Sequence, residues 1–523
     1  VDLGKATGMT VLLRTNRELP ATYARWVALG REEPKLDPAR RISTGKLLEA
    51  AFDQSALEWL NLARERLGNE PSAGLAHTPS CAANASDFGV MLAWSKLVES
   101  WAEEAEEILV ICDDPWLFRH LASRPRVQAG QAPSLGLKEL KLRLRGFAAR
   151  TVAALRLFRY ARACRNKQRI EPGGAWLLVY AHPKSGPDGT DAYFGDLLKE
   201  IPGVKRLIHV DGTPERAAGL GLSLHGFGRL AKILSLPFAR WQPEKLSNDW
   251  LVRRAAALEG GTGQGALIAW QMECQREWLK VAKPKIAVWP WENHSWERDF
   301  VRACRAAGVK TLGYQHSVIG GRMLNYSPRS NLDGEMSLPD HIFCAGPATR
   351  EQLLDWSMKA EKLSIAGALR FTVVKAPAYA PDAPIFLALP FDGQVARQMV
   401  EAARNVRERR FLVKDHPMTP FNFAEGENLH RTEKPLGEQE AVSAVVFAAT
   451  TVGLEALIAG LPTFRFLPRG CIALDILPQD MNCLTVEAES LEAALSAAQP
   501  GAKIKRERVF GQVDWSIWRE ALQ

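Results

Sequence analysis

The chain has 523 residues, 46% apolar and 24% charged, with a net charge of +8. That length suggests two to four domains, with a core large enough to need no disulfide or metal staple. The composition excludes wholesale disorder, a collagen repeat and a coiled coil.

In chain order, short β runs are expected at 10–14 and 107–112, the second ending in Asp113-Asp114-Pro115. Paired carboxylates after a strand could bind a metal, but no third ligand accompanies them. Residues 138–169 then hold eleven Lys/Arg and one acid, Glu139, a net +10 that leaves −2 for the rest. A helix is expected over 135–167, because Leu140, Leu144, Phe147, Val152, Leu155 and Phe158 recur at near-helical spacing. Such a helix either packs through its apolar stripe or lies on an anionic membrane. No nucleic-acid partner is expected, since no aromatic motif interleaves with the basic run.

Strands follow at 176–181, 206–210, 285–289, 311–314, 341–344 and 363–365, with a helix at 296–307. This alternation gives a parallel sheet. The Ala/Pro stretch 375–384 has the composition of a linker. Beyond it, strands at 385–389, 411–413, 442–447 and 463–466 alternate with helices at 395–405, 453–459 and 491–498. The expected fold is therefore α/β, with two Rossmann-like doubly wound parallel-sheet domains facing a cleft and extra N-terminal helical elements. The first domain would be 1–374, with a basic helical insertion near 135–169, and the second 385–510. Residues 511–523 should form a helix that packs back on the first domain, because Trp515 and Trp518 are the only tryptophans after Trp356.

Eight scattered cysteines without a C-x-x-C pair imply reduced thiols rather than disulfides or structural zinc. No charged-then-apolar leader opens the chain, and no run reaches the ~20 apolar residues of a membrane span. A cytoplasmic location is expected.

Ligands of open α/β sheets bind beyond the carboxyl ends of the strands, so motifs there matter most. In Lys414-Asp415-His416-Pro417, Pro417 ends the strand, and Lys414 and His416 point the same way. A cation beside an imidazole suits a phosphate. Asp415 weakens that local positive charge. Thr450-Thr451 stand between a strand and a helix, where hydroxyls either cap the helix or bind an anion. Glu455, one turn on, can reach back to a ligand hydroxyl. Glu292 and His294 lie in the loop Trp289-Pro-Trp-Glu-Asn-His-Ser-Trp296. Desolvation between Trp291 and Trp296 would raise a carboxylate pKa and suit a base, with Glu292 the first choice and His294 the second. Gly313-Tyr314-Gln315-His316 and Asp191-Ala192-Tyr193-Phe194-Gly195 also follow strands.

His416-Pro417 with the Thr450-Thr451 pair resembles the nucleotide-binding half of GT-B glycosyltransferases, most closely those using CMP-activated sugars. The W-E-N-x-x-W-E run, G-Y-Q-H and Asp191–Gly195 resemble a family of bacterial surface-carbohydrate transferases found with O-antigen and nonulosonic acid genes. The resemblance implies a GT-B architecture. It implies transfer of a CMP-activated acidic sugar, such as a nonulosonic acid or Kdo, to a surface glycan or protein. Lys414, His416, Pro417, Thr450 and Thr451 would hold the nucleotide and Glu455 its ribose. Asp392, Gly393, Gln315 and His316 would lie near the donor, and Tyr193, Gly195 and Trp291 near the acceptor. Glu292 or His294 would be catalytic. No metal and no cofactor beyond the CMP-sugar substrate is expected. Peripheral contact with the anionic inner membrane would run through 138–169. The rivals are a CDP-polyol phosphotransferase, another sugar-nucleotide enzyme such as a UDP-sugar transferase or epimerase, and a non-catalytic scaffold of a polysaccharide assembly complex.

Overall fold

The computed structural model describes residues 11–30, 35–66, 72–81, 86–104, 107–165, 170–210, 212–243, 249–370, 376–417, 419–481 and 483–523. Position 10 of the first predicted strand, 166–169 of the basic run and Lys375 of the linker lie outside these.

The strands form parallel sheets. The central one has seven strands, in the order Leu363–Ile365, His341–Cys344, Lys310–Gln315, Ile286–Pro290, Ala175–Val179, Lys205–Ile208 and Leu222–Ser223. Sequences such as AWLLV and IAVWP are buried along their whole length, as a parallel strand covered on both faces requires. Strand order reverses between Ala175–Val179 and Ile286–Pro290, which pair directly. The C-terminal sheet has six strands: Leu429–Arg431, Phe411–Lys414, Ile385–Ala388, Ala444–Phe447, Thr463–Phe466 and Leu484–Val486. Its order reverses between Ile385–Ala388 and Ala444–Phe447. These are the two doubly wound Rossmann-like sheets expected of a GT-B architecture.

The first 374 residues were expected to build one sheet, and the described ones among them build two. Val11–Arg14 and Ile108–Cys112 belong to a separate four-stranded parallel sheet with Arg25–Leu29 and Val127–Ala129. Arg25–Leu29 was not foreseen. It sits at the sheet edge and supplies the second partner of Ile108–Cys112.

The basic helix runs from Leu135 to Cys164. It packs inward through Leu142, Gly146, Arg150, Ala154, Leu157 and Ala161. An alanine side chain at Gly146 would lie 1.8 Å from the Gly260 carbonyl, so the helix meets its neighbour at backbone distance. The apolar stripe seen in the sequence faces outward, with Leu144 66% and Leu155 60% exposed.

Helix Trp515–Leu522 lies on the central sheet. Trp518 is buried edge-on to Tyr314 and Phe343, and its Nε1 donates to the Ala366 carbonyl at 3.1 Å.

One buried ion network joins all three sheet units. Glu49, on helix Gly45–Gln54, accepts two hydrogen bonds from Arg465 at 2.7 and 2.6 Å. It accepts a third, at 3.0 Å, from Arg322, beyond the central strand Lys310–Gln315. Arg322 also holds Asp53 through two bonds of 2.7 Å.

Candidate active site

Both order reversals leave a crevice at the carboxyl ends of their strands, where ligands of such sheets bind. On the central sheet this crevice lies between His182 and the loop 291–294. On the C-terminal sheet it lies between Asp392 and Thr450.

The central loop is built around Glu297. This residue is 1% exposed and stands in the first turn of helix Ser295–Ala306. Its carboxylate accepts the backbone N–H groups of Glu292 and His294 and the indole N–H of Trp289, the last at 3.1 Å. Burial still raises its pKa to about 7. Asn293 takes a left-handed φ of 59° and donates to the Asn325 carbonyl at 2.7 Å, while Asn325 donates to the Glu292 carbonyl at 2.7 Å. These bonds hold the backbone at Glu292.

The Glu292 carboxylate pairs with His294 Nε2 at 2.9 Å, and 41% of its side chain remains exposed. The raised pKa expected for Glu292 is reversed. Burial pushes it up, but the His294 hydrogen bond and the charges of His294, His316 and His77 outweigh burial and hold it at about 2. The raised carboxylate of this loop is Glu297. His294 Nδ1 faces the Ser80 carbonyl at 3.1 Å and the Cys81 thiol at 3.9 Å. With acceptors at both ring nitrogens, His294 holds its protons, and its pKa is well above the ordinary value although burial opposes this.

Trp291, expected near the acceptor, is fully buried and edge-on to Tyr326. Gln315 is also fully buried, and its Nε2 holds the turn at Ser317 at 3.3 Å rather than facing a donor. His316 is 6% exposed, 4.9 Å from the Tyr193 ring, and burial followed by the Arg370 charge lowers its pKa to about 3. Tyr193 lies under the Arg370 guanidinium at 5.0 Å and meets His182 edge-on at 6.0 Å. Gly195 is structural. Its φ is +54°, and a Cβ there would lie 2.3 Å from the Leu369 carbonyl.

On the C-terminal sheet, Thr451 precedes helix Val452–Ile458 without a side-chain capping bond. The Thr450 hydroxyl is buried and has no hydrogen-bond partner among the described residues. Helix capping therefore does not account for the pair. Gly453 is required where the helix crosses Phe447, since a Cβ would lie 2.3 Å from that ring. Burial raises Glu455 to a pKa of about 7, opposed by the Lys184 charge. Lys184 follows the central strand Ala175–Val179, so a charge carried by the central sheet acts on Glu455 of the C-terminal sheet.

Contacts run from His316 through Tyr193 to His182, whose Nδ1 accepts from the Lys184 backbone N–H at 3.1 Å. Lys414 pairs instead with Glu433 at 3.3 Å, and His416 meets Phe391 at 6.0 Å, both within the C-terminal unit. Pro417 is exposed beside them. Asp415, expected to weaken the positive charge, is neutralised by an ion pair with Arg431. The Asp392 carboxylate caps helix Gly393–Asn405 through Gln394 N at 2.8 Å. Asp392 and Gln394 also line a cavity of about 450 Å³ whose other wall is Asn16, Asp113 and Arg254 at the N-terminal sheet. Asp114 caps its own helix and pairs with Arg254 at 2.6 Å, so the Asp113-Asp114 carboxylates are structurally engaged.

Sequence reading missed His77 and Cys81. Cys81 Sγ lies 3.2 Å from His77 Nε2 and 3.9 Å from His294 Nδ1. Burial would raise this thiol, but the two imidazoles lower its pKa to about 7. Their i, i+4 spacing is the signal that could have drawn attention to them.

No family model and no curated protein matches the chain. Among solved structures it is similar to Methanocaldococcus jannaschii UDP-GlcNAc 2-epimerase in complex with UDP-GlcNAc and UDP. The identity is 12% and the TM-score 0.37, over 64% of this chain and 97% of that one. It is also similar to the lipopolysaccharide outer core galactosyltransferase WaaB, with 12% identity, TM-score 0.31, and coverage of 67% and 94%. Acinetobacter baumannii MurG gives 12% identity, TM-score 0.33, and coverage of 62% and 90%.

Proposed function

We propose that the chain is a glycosyltransferase that moves a CMP-activated acidic sugar, a nonulosonic acid or Kdo, onto a surface glycan or protein. The observation that carries this reading is the pairing of the two crevices: Glu455 and the Thr450 hydroxyl, which has no hydrogen-bond partner among the described residues, on one side, and Lys184 and His182 on the other. Lys184 and the Thr450 hydroxyl suit the CMP phosphate, and Glu455 suits the ribose hydroxyls. His416 and Lys414 extend the donor side. Glu292 offers an ionised, fixed carboxylate to the acceptor. The acceptor oxygen bonds to the anomeric carbon as the bond from that carbon to the phosphate oxygen breaks. The acceptor oxygen becomes strongly acidic as it bonds, so its proton can pass even to the low-pKa Glu292 carboxylate, and CMP leaves with the bonding pair. Incubation with CMP-linked acid sugars should release CMP in step with glycosylated acceptor. Release of nucleotide from CDP-polyols or UDP-sugars alone would replace the donor assignment.

The Glu455 role has a pH signature. Ribose hydroxyls are better held by the carboxylate, whose folded pKa is raised to about 7. Donor affinity should therefore rise as pH increases from about 6 to 8, where this group loses its proton. Isothermal titration across that range should show the rise in the wild type and a flat profile in Glu455→Gln.

The outward stripe on helix Leu135–Cys164 supports membrane contact. Leu234 at 81% and Phe238 at 68% exposure extend it, and Phe147 packs on Phe238 at 5.6 Å. Lys138, Lys141, Arg143 and Arg145 border it and are exposed. Each basic side chain near an anionic surface contributes about 1 kcal/mol. Vesicles rich in phosphatidylglycerol should pellet the protein, whereas Leu144→Glu/Leu155→Glu should stay in the supernatant. Among the described residues no helix is long and apolar enough to cross a membrane.

A further inference from the structure

We infer that His77, Cys81 and His294 form a zinc site beside Glu292. The three donor atoms, His77 Nε2, Cys81 Sγ and His294 Nδ1, all lie within 4.8 Å of one another. A tetrahedral zinc with Zn–S of about 2.3 Å and Zn–N of about 2.0–2.1 Å sets S···N edges near 3.5 Å. The observed edges, 3.2 and 3.9 Å, straddle that value. One thiolate and two imidazoles select zinc or a similar transition ion, and exclude calcium and magnesium, which take oxygen ligands.

The surroundings match a metal site in a second way. A histidine that ligates through one nitrogen commonly donates its other N–H to a carboxylate, which fixes the ring. His294 Nε2 faces the Glu292 carboxylate at 2.9 Å, leaving Nδ1 turned toward Cys81 and His77. Without an ion, Nδ1–H donates to the Ser80 carbonyl at 3.1 Å, so binding exchanges that bond for one to the metal. His77 Nδ1 is buried without a partner among the described residues, consistent with a ring placed for what its Nε2 reaches.

The elements explain why a short motif shows only the His77 and Cys81 half of this site. His77 and Cys81 flank one short turn, Thr78–Ser80, while His294 precedes a helix more than two hundred residues later. A bound ion would tie that turn to the Glu292 loop. Three protein ligands leave the fourth tetrahedral position to water. This departs from the expectation that the chain needs no metal, and it stands independently of the proposed sugar transfer.

The test uses the full chain, loaded with zinc and dialysed. X-ray absorption at the zinc edge should show one sulfur at about 2.3 Å and nitrogen or oxygen at about 2.0–2.1 Å, at one zinc per chain. Cobalt loading should give a thiolate charge-transfer band that is lost in Cys81→Ser and in His77→Ala. Glu292→Ala should weaken zinc binding about 10–100-fold by removing the carboxylate that orients His294. Circular dichroism checks that the variants are folded, and the wild-type absorption spectrum decides the matter if one is not. No stoichiometric zinc, an all-nitrogen/oxygen shell, or binding unchanged in folded Cys81→Ser and His77→Ala would overturn the site.

Discussion

Glu49→Ala should destabilise the protein by about 3–5 kcal/mol, the usual cost of removing one partner from a buried ion pair. Glu49 and Arg465 side chains are 9% and 5% exposed, and they share two hydrogen bonds of 2.7 and 2.6 Å. Deleting the carboxylate leaves the Arg465 guanidinium buried, with Asp475 at 3.6 Å as its remaining acidic neighbour. It also removes one anchor of Arg322, so all three sheet units lose a shared contact. Asp53→Ala is the control. Its side chain is 52% exposed, and the loss of such a pair typically costs below about 1 kcal/mol. Urea unfolding followed by tryptophan fluorescence should separate the two variants. The C-terminal unit has no tryptophan between Trp356 and Trp515, so a second probe, circular dichroism, should show whether the units still unfold together. Equal midpoints for Glu49→Ala and wild type would remove the network from the account of how the sheets are joined.

Glu292→Gln should lower sugar transfer by about 10²–10⁴-fold, the range contributed by a positioned acid–base group. Glutamine keeps an acceptor for the His294 N–H and nearly the same shape, and it loses the charge and the ability to take a proton. The Thr450, Glu455 and Lys184 side of the cleft is untouched, so donor affinity should be preserved. The loss then falls on turnover at saturating donor, read by single-turnover kinetics. A variant retaining more than about half its rate would take Glu292 out of the chemistry, because half the rate is only about 0.4 kcal/mol of barrier.

The parallel strands were legible because each is a short apolar run closed by a turn or a chemistry-bearing residue. His341–Cys344, Leu363–Ile365 and Thr463–Phe466 lie where expected, and their neighbours shift by a residue or two. Arg25–Leu29 was missed, and with it the fourfold N-terminal sheet, since pairing partners are not written in a single run. The basic helix was found, but not which face is buried. Small residues, Gly146, Ala154 and Ala161, admit close packing, and this leaves the larger apolar side chains outside. At the site, strand-end position pointed to Glu292, Thr450 and Glu455. The sign of the Glu292 shift was not legible, because burial was foreseen and its His294 partner was not. Trp291, expected near the acceptor, packs into the core against Gly313, where a Cβ on that glycine would lie 2.9 Å from the Trp291 side chain.

The most direct measurement is nucleotide binding to wild type, Thr450→Val and Glu455→Gln, by thermal shift with CMP, CDP, UMP and UDP. A nucleotide at 100 times its Kd stabilises the folded chain by about 2.7 kcal/mol. CMP should give the largest shift, and Thr450→Val should weaken its binding by about 0.5–1.5 kcal/mol, one hydrogen bond. No shift with any nucleotide, or a CMP shift unchanged in both variants, would contradict a donor site between the two crevices.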